Sequence, residues 1–409
     1  MSDVTSVVVI GAGLAGAKTA EALRAQGYAG AITIIGDEPH LPYERPPLSK
    51  GYLQGKAERD TVFVHPEQWY ADNSVSVLRD THATAIHRTS GTVALGDGTE
   101  LPYDKLVIAT GSSPRLLTVH GAELDGVYYL RRLDDSDRLR GVLNTASRIA
   151  IIGGGWIGLE VAAAARKAGV EVTLIEMAAL PLAGVLGPEL AQVFADLHTR
   201  HGVDLRTGVG LAALTGDDGR VVAVQLEDGT AVAVEAVVVG VGITPNVQLA
   251  VDAGLEVDDG ILVDEHLGTN DPDIYAVGDV ANAWHPVLAK RIRVEHWANA
   301  LNHPPVAAAS ILGGDATYDR QPYFYSDQYD LGMEYTGYAT PGGYDAVVIR
   351  GDVDKLEFIA FWTAQGVVLA GMNVNIWDVT DDIKALIASG KPIDADQLAD
   401  PAVPLASLI

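Results

Sequence analysis

The stretch VVVIGAGLAG, residues 7–16, decides the fold of this chain. Its four apolar, β-branched residues predict a buried strand, and Gly11, Gly13 and Gly16 follow in the spacing G-x-G-x-x-G, before an alanine-rich helical pattern that ends near Gly27. Gly11 permits a tight turn, Gly13 lets the backbone approach a pyrophosphate, and Gly16 lets the helix lie close to the strand. The stretch therefore predicts a strand, turn and helix that bind a dinucleotide at the helix N-terminus.

Two further strands complete this first unit. Residues 32–35 predict a second strand that ends just before Asp37, about 20 residues after the glycine motif, where an acidic residue typically holds the ribose hydroxyls of a dinucleotide. Residues 105–109 predict a third strand, after which Thr110 and Gly111 let the chain turn beside the cofactor and leave the first domain. Asp37 is therefore the candidate ribose ligand of this unit.

The segments between these strands predict less regular structure. Residues 39–55 carry four prolines, which argue against a helix or a central strand. We expect a fixed loop there, either against a cofactor ring or simply on the surface. Residues 75–95 predict short strands in an antiparallel excursion.

The stretch IAIIGGGWIG, residues 149–158, repeats the opening plan. Gly153, Gly155 and Gly158 have the same spacing as the first glycines, and a helical pattern follows to Ala168. This internal repeat predicts a second dinucleotide-binding unit. A chain with two such units is built to hold two nucleotides.

The strand after the second turn indicates the coenzyme. Residues 172–175 predict a strand that ends at Glu176, again about 20 residues after the glycines, and its carboxylate can accept hydrogen bonds from both ribose hydroxyls. The 2′-phosphate of NADPH would be repelled by that charge, and no Arg or Lys lies between residues 177 and 184 to bind it. The sequence therefore favours NADH over NADPH.

Two later segments also predict strands. Residues 234–241 predict a buried strand that ends at Gly242. Residues 274–277 predict another, which leads into Gly278, Asp279 and a helix-compatible stretch. Asp279 would then lie at a helix N-terminus, where it either binds a sugar-like hydroxyl or caps the helix.

From Gln321 onward the sequence changes to alternating, aromatic-rich segments that end in a predicted helix over residues 380–389. We therefore predict an α/β fold with two Rossmann-like dinucleotide-binding domains and a C-terminal α+β domain. The first domain comprises residues 1–112 and 245–320, the second comprises residues 113–244, and the third comprises residues 321–409.

Composition limits the chemistry of the chain. Its 409 residues include no cysteine, which excludes a redox-active disulfide, a thiolate nucleophile and cysteine-ligated iron–sulfur or zinc sites. The formal net charge of -26 argues against general binding of nucleic acid or anionic membranes. No signal-peptide pattern opens the chain, and no apolar run approaches the roughly 18 residues that span a bilayer, so we expect a soluble cytoplasmic protein.

Three histidines attract attention without predicting a site. His198 and His201 have a spacing that suits a metal, but no third ligand is nearby, so we interpret them as surface histidines and expect no metal centre. His296 could titrate near neutrality. We interpret it as structural or partner-facing rather than catalytic.

Two nucleotide units without a cysteine imply direct electron exchange between a tightly held flavin and a diffusible nicotinamide. The order of motifs resembles the pyridine-nucleotide-dependent flavoprotein reductases of glutathione-reductase-like fold and, more closely, the ferredoxin reductases of bacterial cytochrome P450 and aromatic-ring dioxygenase systems. The resemblance covers nearly the whole chain. It is carried by residues 11–16, 36–37, 46–50, 106–111, 153–160, 242–246, 269–279, 295–299 and 326–329.

This resemblance implies FAD as the bound cofactor and NADH as the co-substrate. The implied FAD contacts are Gly11, Gly13, Leu14, Ala15 and Gly16 at the diphosphate turn, Asp37 at the adenosine ribose, Lys50 near the flavin, Ala83 at the adenine, Asp279 at the ribityl chain, Trp297 at the flavin pyrimidine edge, and Ala109, Thr110, Gly111, Arg131 and Gly278. The implied NADH contacts are Gly153, Gly155, Trp156, Ile157, Gly158, Glu160, Glu176 and Gly242.

Within the resemblance, Lys50 and Glu160 form a buried pair with a catalytic role. Glu160 would address the nicotinamide carboxamide, and Lys50 would stabilise the anionic reduced flavin. Neither residue needs to act as an acid or a base, because hydride transfer depends chiefly on positioning and electrostatics. The alternative is a salt bridge that merely ties two domains together.

The resemblance also implies a partner, a [2Fe-2S] ferredoxin that supplies an oxygenase, with a cytochrome P450 favoured. Lys290, Arg291 and Arg293 form a basic cluster that suits an acidic ferredoxin, although a solvated turn with intramolecular pairs explains it equally well. Two alternatives stay open. One is a rubredoxin reductase, and the other is an NADH-sensing flavoprotein switch similar to apoptosis-inducing factor, against which the short C-terminal domain counts. We expect a monomer.

Overall fold

A computed structural model describes residues 4–409. Its strands are, in chain order, β1 (Ser6–Ile10), β2 (Ala31–Ile35), β3 (Val75–Leu78), β4 (Ala83–His87), β5 (Thr92–Leu95), β6 (Glu100–Pro102), β7 (Lys105–Ile108), β8 (Ser112–Pro114), β9 (Val127–Tyr129), β10 (Arg148–Ile152), β11 (Glu171–Glu176), β12 (Asp204–Thr207), β13 (Leu211–Asp217), β14 (Arg220–Leu226), β15 (Ala231–Ala233), β16 (Ala236–Val239), β17 (Ile243–Pro245), β18 (Ile261–Val263), β19 (Ile274–Ala276), β20 (Ala281–His285), β21 (Lys290–Ile292), β22 (Tyr323–Gln328), β23 (Leu331–Gly337), β24 (Ala346–Asp352), β25 (Glu357–Ala364) and β26 (Val367–Val374). Its helices are α1 (Leu14–Ala25), α2 (Glu67–Asp72), α3 (Leu133–Leu143), α4 (Trp156–Lys167), α5 (Ala183–Leu186), α6 (Pro188–Arg200), α7 (Gln248–Asp252), α8 (Trp297–Ile311), α9 (Thr380–Ser389) and α10 (Ala395–Ala399).

The chain forms two compact units. The first contains residues up to 46, residues 58–113 and residues 243–320. The second contains residues 47–57, 114–242 and 321–409. The proline-rich loop is thus divided, since its residues from 47 onward belong to the second unit.

The first unit is organised around a parallel sheet with strand order β19-β7-β1-β2-β3. The valines of β1 are buried, because helices cover a parallel sheet on both faces, and this explains why β1 is a continuous apolar run rather than an alternating one. Leu23 of α1 and Ala308 of α8 contribute to the same hydrophobic core. The glycine turn after β1 therefore lies at the carboxyl edge of a buried sheet, where α/β folds bind ligands.

The second unit repeats this plan with a parallel sheet in the order β12-β11-β10-β16-β9. The C-terminal residues form an antiparallel sheet, β22-β23-β26-β25-β24, which shares a hydrophobic core with the second dinucleotide-binding portion. Trp362 is fully buried there, and its indole Nε1 donates to the carbonyl of Leu186 at 3.2 Å. The predicted fold class, with two dinucleotide-binding portions and a C-terminal α+β portion, is confirmed, and α9 coincides with the helix predicted over residues 380–389.

Two local predictions were wrong. Within residues 75–95 only β4 and β5 belong to an antiparallel sheet, which they form with β6, whereas β3 pairs in parallel with β2 and extends the main sheet of the first unit. The residues Gly278–Val280 themselves form a short 3-10 turn, and the strand β20 follows it instead of a helix. The physical reason is that the side chains of β20 are buried at every second position, which is the period of a strand.

Within residues 4–409, no helix is long and apolar enough to cross a membrane.

Candidate functional site

The first glycine turn leaves the N-terminus of α1 open to an anion. Gly13 is the N-cap, no side chain caps the helix, and no acidic residue lies in its first turn. The first amide N–H groups of a helix have no partner within the helix, and the helix dipole favours a negative charge beside them. A Cβ on Gly16 would collide with the carbonyl oxygen of Gly11, so the helix can approach the strand only because Gly16 has no side chain. The turn thus has the open, positive helix end that binding of a diphosphate would require.

Arg45 lies at the first glycine turn, a placement that the sequence analysis did not predict. Its guanidinium Nη1 lies 3.1 Å from the position that a Cβ on Gly13 would take, so a cation stands directly at the glycine turn. Glu38 lies near it, with its Oε1 3.8 Å from Nη2 of Arg45, and accepts a hydrogen bond from the hydroxyl of Tyr43 at 2.7 Å. The sequence contains one feature that could have indicated Arg45. Prolines on both sides of it restrict the backbone that carries its side chain.

The other predicted adenosine contacts occupy strand ends of the first unit. Asp37 follows β2 and is exposed, and Ala83 opens β4, where it pairs with Leu95. After β7, the Thr110 hydroxyl donates to the carbonyl of Asn246 at 2.8 Å, and the Asn246 amide donates back to the carbonyl of Thr110 at 2.8 Å. This reciprocal pair fixes the turn that contains Ala109 and Gly111, although no sequence pattern assigned Asn246 that task.

The turn at Gly278 and Asp279 lies against the start of α1. Gly278 has φ +74°, and a Cβ on it would lie 3.1 Å from the Cβ of Ala15. Its amide N–H donates to Nδ1 of the buried His303 at 3.2 Å. The structure therefore brings Asp279 to the diphosphate turn of the same unit, and His303 holds the backbone that places it.

The N-terminus of α8 offers a second positive helix end in this unit. Trp297 is the first residue of α8, the helix has no side-chain cap, and its first turn contains no acidic residue. The indole Nε1 of Trp297 donates to Glu44 Oε2 at 3.1 Å, which fixes the orientation of the ring. A group that gains negative charge would be stabilised at this helix end.

Replacing His303 with glutamine should flatten the pH dependence of stability. Burial lowers the pKa of His303 to about 3, whereas a histidine in the unfolded chain has a pKa near 6.5. Below pH 6.5 the unfolded chain therefore binds a proton that the folded chain does not, so the stability present above pH 6.5 is lost as the pH falls toward 3. The slope approaches about 1.4 kcal/mol per pH unit for this one proton.

Urea unfolding of the holoprotein at pH 7, 6 and 5, followed by circular dichroism, measures this slope. Glutamine can still accept from the Gly278 amide through its side-chain oxygen but does not titrate. In His303→Gln, the slope of the free energy of unfolding against pH should be smaller by up to about 1.4 kcal/mol per pH unit, which corresponds to one proton. The control His82→Gln, at an exposed histidine, should keep the slope of the parent. An identical slope in His303→Gln and the parent would contradict the expectation.

The second glycine turn has the same architecture. Gly155 is the N-cap of α4, no side chain caps that helix, and its first turn has no acidic residue. Apart from Gly155 itself, its neighbours in the chain and the backbone of its own helix, no atom of residues 4–409 lies within 4 Å of a Cβ built on Gly155, so there is space for a ligand at this backbone. A Cβ on Gly158 would collide with the carbonyl of Gly153, which repeats the close contact of the first unit.

Glu176 is fixed at the end of β11 by two backbone amides. Its Oε2 accepts from the N–H of Gly154 at 2.6 Å and its Oε1 accepts from the N–H of Ala178 at 2.7 Å. A carboxylate held in this way keeps acceptor positions for two hydroxyls. The structure thus places Glu176 beside the glycine turn, where the prediction of a ribose ligand requires it.

The other predicted NADH contacts differ in their surroundings. Ile157 is 44% exposed, and Gly242 accepts a hydrogen bond from the Arg115 amide at 3.0 Å. Trp156 is half-buried, and its ring contacts Phe194 and Phe324 edge-on at centroid distances of 5.5 and 5.2 Å. The indole therefore also contributes to the packing of α4.

Lys50 and Glu160 form an ion pair in the second unit. Lys50 Nζ lies 2.8 Å from Glu160 Oε1, and the side chains are 16% and 3% exposed. The hydroxyl of Ser49 donates to Glu160 Oε2, and the hydroxyl of Ser326 donates to Oε1 at 2.7 Å. The ammonium of Lys50 also lies 5.3 Å from the centre of the Tyr325 ring. Glu160 is therefore a nearly buried carboxylate with three donors, two of which the sequence analysis did not identify.

The loop that carries Lys50 is held by α3. The buried hydroxyl of Ser136 donates to the carbonyl of Leu48 at 2.8 Å, and the hydroxyl of Tyr52 donates to Asp137 at 2.5 Å. Arg131, a predicted FAD contact, lies just before α3, and its amide donates to Asp135 at 3.1 Å. Lys50 and Arg131 thus belong to the second unit, and their assignment to FAD stays a prediction.

Two residues of the basic cluster, Lys290 and Arg291, lie in the strand β21 rather than in a turn. Arg293 is 10% exposed and pairs with Asp259 and Glu295 at 3.0 and 2.5 Å. Arg291 donates to the carbonyl of Val263 at 2.6 Å but is exposed, as is Lys290. Arg293 therefore serves the stability of the first unit, whereas Lys290 and Arg291 are the exposed members of the cluster.

Two expectations about histidines were wrong. His198 is fully buried rather than superficial, and burial lowers its pKa to about 4. Of the two histidines His198 and His201, only His201 is exposed, and it stacks on Tyr329 with ring centres 3.7 Å apart. Burial also lowers the pKa of His296 to about 4, so that it does not titrate near neutrality. The error arose because the apolar face of α6 extends to its last turn, where His198 takes an inward position.

Comparison with known proteins agrees with this architecture. The family model of the pyridine nucleotide-disulphide oxidoreductases matches residues 5–303, and the reductase C-terminal model matches residues 323–409. The chain is 39% identical over 409 residues to putidaredoxin reductase of Pseudomonas putida, covering 99% of this chain and 96% of that protein. It is 41% identical over 406 residues to the ferredoxin–NAD(+) reductase component of the anthranilate 1,2-dioxygenase system of Burkholderia cepacia, with 98% of each protein covered.

A solved structure is similar over the same length. The covalent putidaredoxin reductase–putidaredoxin complex contains a chain that matches with a TM-score of 0.95 and 38% identity, covering 99% of this chain and 98% of that one. Family model, identity and fold agree over both units. The chain therefore belongs to the pyridine nucleotide-disulphide oxidoreductase family, among the putidaredoxin reductase-like ferredoxin reductases.

Proposed function

We propose that this protein is an FAD-dependent NADH:ferredoxin reductase that supplies electrons to an oxygenase, with a cytochrome P450 favoured. One NADH gives a hydride, that is two electrons and a proton, and two ferredoxins each take one electron. The products are NAD⁺, one proton and two reduced ferredoxins. We place the protein in the cytoplasm as a monomer, with a [2Fe-2S] ferredoxin as its partner.

The observation that carries this proposal is the Lys50–Glu160 pair at the second glycine turn. Glu160 lies in α4, just after the second glycine turn, which would accept the diphosphate of NADH. A buried carboxylate at this place is suited to bind the carboxamide of the nicotinamide, because charged acceptors make the stronger hydrogen bonds. A chain without cysteine has no thiol to which electrons could pass, so FAD must supply both the acceptance of a hydride and the release of single electrons.

Residues of the first unit would hold FAD. The amides at the start of α1, with Arg45, suit the diphosphate, and Asp37 suits the adenosine ribose. Asp279 suits the ribityl chain, and the N-terminus of α8 at Trp297 would stabilise the negative charge that the isoalloxazine gains on reduction. In the second unit, Glu176 would bind the ribose hydroxyls of NADH.

Anaerobic stopped-flow spectroscopy tests the proposal. The yellow holoprotein is reduced with NADH and then mixed with oxidised [2Fe-2S] ferredoxins or with a rubredoxin. Rapid reoxidation by a ferredoxin is the expected result. Faster reoxidation by rubredoxin than by any ferredoxin would make rubredoxin the acceptor. A persistent charge-transfer band that no acceptor removes would contradict an electron-transfer function.

Charge reversal at Lys290 should weaken docking of the ferredoxin. Lys290 and Arg291 are exposed on β21 in a chain with a net charge of -26, so they would attract an acidic partner against an unfavourable background. We expect Lys290→Glu to raise the KM for ferredoxin about fivefold at low salt, and less at high salt, because screening weakens surface charge pairs.

Steady-state reduction of the ferredoxin at two ionic strengths measures this effect. Lys355→Glu is the matched control, since Lys355 is an exposed lysine in the turn between β24 and β25. The reduction of FAD by NADH should be unchanged in both variants. Equal KM values in the two variants at low salt would place the docking surface elsewhere.

A further inference from the structure

A continuous chain of buried hydrogen bonds leads from Glu160 into the C-terminal domain. Ser326 Oγ donates to Glu160 Oε1 at 2.7 Å, and Gln328 Nε2 donates to Ser326 Oγ at 3.1 Å. Gln328 Oε1 lies 2.9 Å from Nε2 of His198, whose Nδ1 lies 3.4 Å from the hydroxyl of Tyr329. Glu160, Ser326, Gln328 and His198 are all at most 3% exposed, so water does not compete for these bonds.

The donors and acceptors of this chain have one consistent direction. Because Gln328 uses its NH₂ group on Ser326, its carbonyl oxygen faces His198, which must then donate from Nε2. The pKa of His198, lowered to about 4 by burial, keeps the ring neutral at pH 7, so Nδ1 is an acceptor for Tyr329. In every hydrogen bond of this series the donated hydrogen therefore points toward Glu160, and Glu160 accepts the hydrogen of the Ser326 hydroxyl.

We infer that Ser326, supported by Gln328 and His198, is a positioning residue that sets the orientation of Glu160 for the nicotinamide carboxamide. This inference rests on the proposed function. It gives the C-terminal domain a part in NADH oxidation, since Ser326 and Gln328 both lie in β22.

The number of hydrogen bonds that the Glu160 carboxylate already accepts explains why its orientation matters. A carboxylate accepts about four hydrogen bonds. Oε1 of Glu160 already accepts from Lys50 and Ser326, whereas Oε2 accepts from Ser49. One acceptor position is thus left on Oε2, and it suits a single amide N–H. Loss of the Ser326 hydroxyl would let the carboxylate rotate and would misdirect that position.

A double-mutant cycle tests whether Ser326 acts through Glu160. We expect Ser326→Ala to raise the dissociation constant of NAD⁺ about tenfold and to slow FAD reduction by a similar factor, as expected for a bond to a charged group. In the Glu160→Gln background the same substitution should change both values less than twofold. Ser389→Ala, a serine of the same domain whose hydroxyl donates to the carbonyl of Leu386, should have no effect.

Calorimetry measures NAD⁺ binding and stopped-flow spectroscopy measures reduction, both on the holoprotein. Equal losses in the two backgrounds would make Ser326 a packing residue and overturn the inference. If Glu160→Gln itself changed nothing, the assigned role of Glu160 would fail, and the inference with it. Gln328→Met keeps the side-chain volume and removes the donor to Ser326, so it should show about a threefold loss that also vanishes in the Glu160→Gln background.

Discussion

Lys50→Met will slow the reduction of FAD by NADH about a hundredfold, which is the range found when one preorganised electrostatic partner is removed from a reacting centre. Methionine keeps an unbranched apolar side chain that is one atom shorter, and it removes the charge and the donors of the ammonium. In the parent, Lys50 Nζ lies 2.8 Å from Glu160 Oε1 in surroundings that exclude most water. Without the ammonium, Glu160 loses a charged partner, and the proposed stabilisation of the reduced flavin is lost as well.

The stability of the protein should fall only moderately in this variant. Removal of one partner from a buried ion pair costs about 3–5 kcal/mol in other proteins. The hydroxyls of Ser49 and Ser326 continue to donate to Glu160 in the variant, so the cost here should lie below that range. A large kinetic loss with a small shift of the unfolding midpoint would therefore separate a catalytic role from a salt bridge that only ties segments together.

Stopped-flow reduction under anaerobic conditions measures the rate, and thermal unfolding checks the fold. Lys56→Met is the matched control, because Lys56 is an exposed lysine of the same loop. In this control, NADH should reduce FAD at the rate of the parent. An unaltered rate in Lys50→Met would reduce Lys50 to a structural role.

The glycine turns were predictable because their geometry depends on residues next to one another in the chain. The run of residues 7–16 contains the strand, the turn and the helix start, and no distant contact is needed to form them. The same holds for Glu176, since β10 and β11 pair in parallel along their length and so bring the end of β11 to the turn. Local pattern and sheet register together were enough to place this acid.

The donors around Glu160 could not be predicted in the same way. Ser326 is 166 residues from Glu160 and contacts it only because the C-terminal sheet packs on α4. A serine in a strand carries no sequence signal that distinguishes a donor to a carboxylate from an ordinary buried hydroxyl. Arg45 was missed for a related reason, since only the folded proline loop brings its guanidinium to Gly13. Contacts between distant segments depend on packing, which periodicity does not encode.

Glu176→Ala will lower the preference for NADH over NADPH by at least about thirtyfold, since hydrogen bonds to charged groups each contribute about 1.5–3 kcal/mol. Two effects both lower the preference for NADH. The ribose hydroxyls of NADH lose their acceptor, and the 2′-phosphate of NADPH no longer meets a negative charge. The carboxylate also accepts from the amides of Gly154 and Ala178, so part of the loss of NADH affinity will come from a looser turn.

Glu176→Gln separates the contribution of the negative charge from that of the backbone hydrogen bonds. The amide oxygen of glutamine can still accept from one backbone N–H, whereas the negative charge is gone. It should therefore restore part of the NADH affinity that alanine loses and accept NADPH as well as alanine does. The ratio of kcat/KM for the two coenzymes, measured with the same acceptor, gives the result, and Glu171→Ala at the exposed start of β11 is the matched control. A ratio that stays at the value of the parent in both Glu176 variants would mean that coenzyme selection does not depend on this carboxylate.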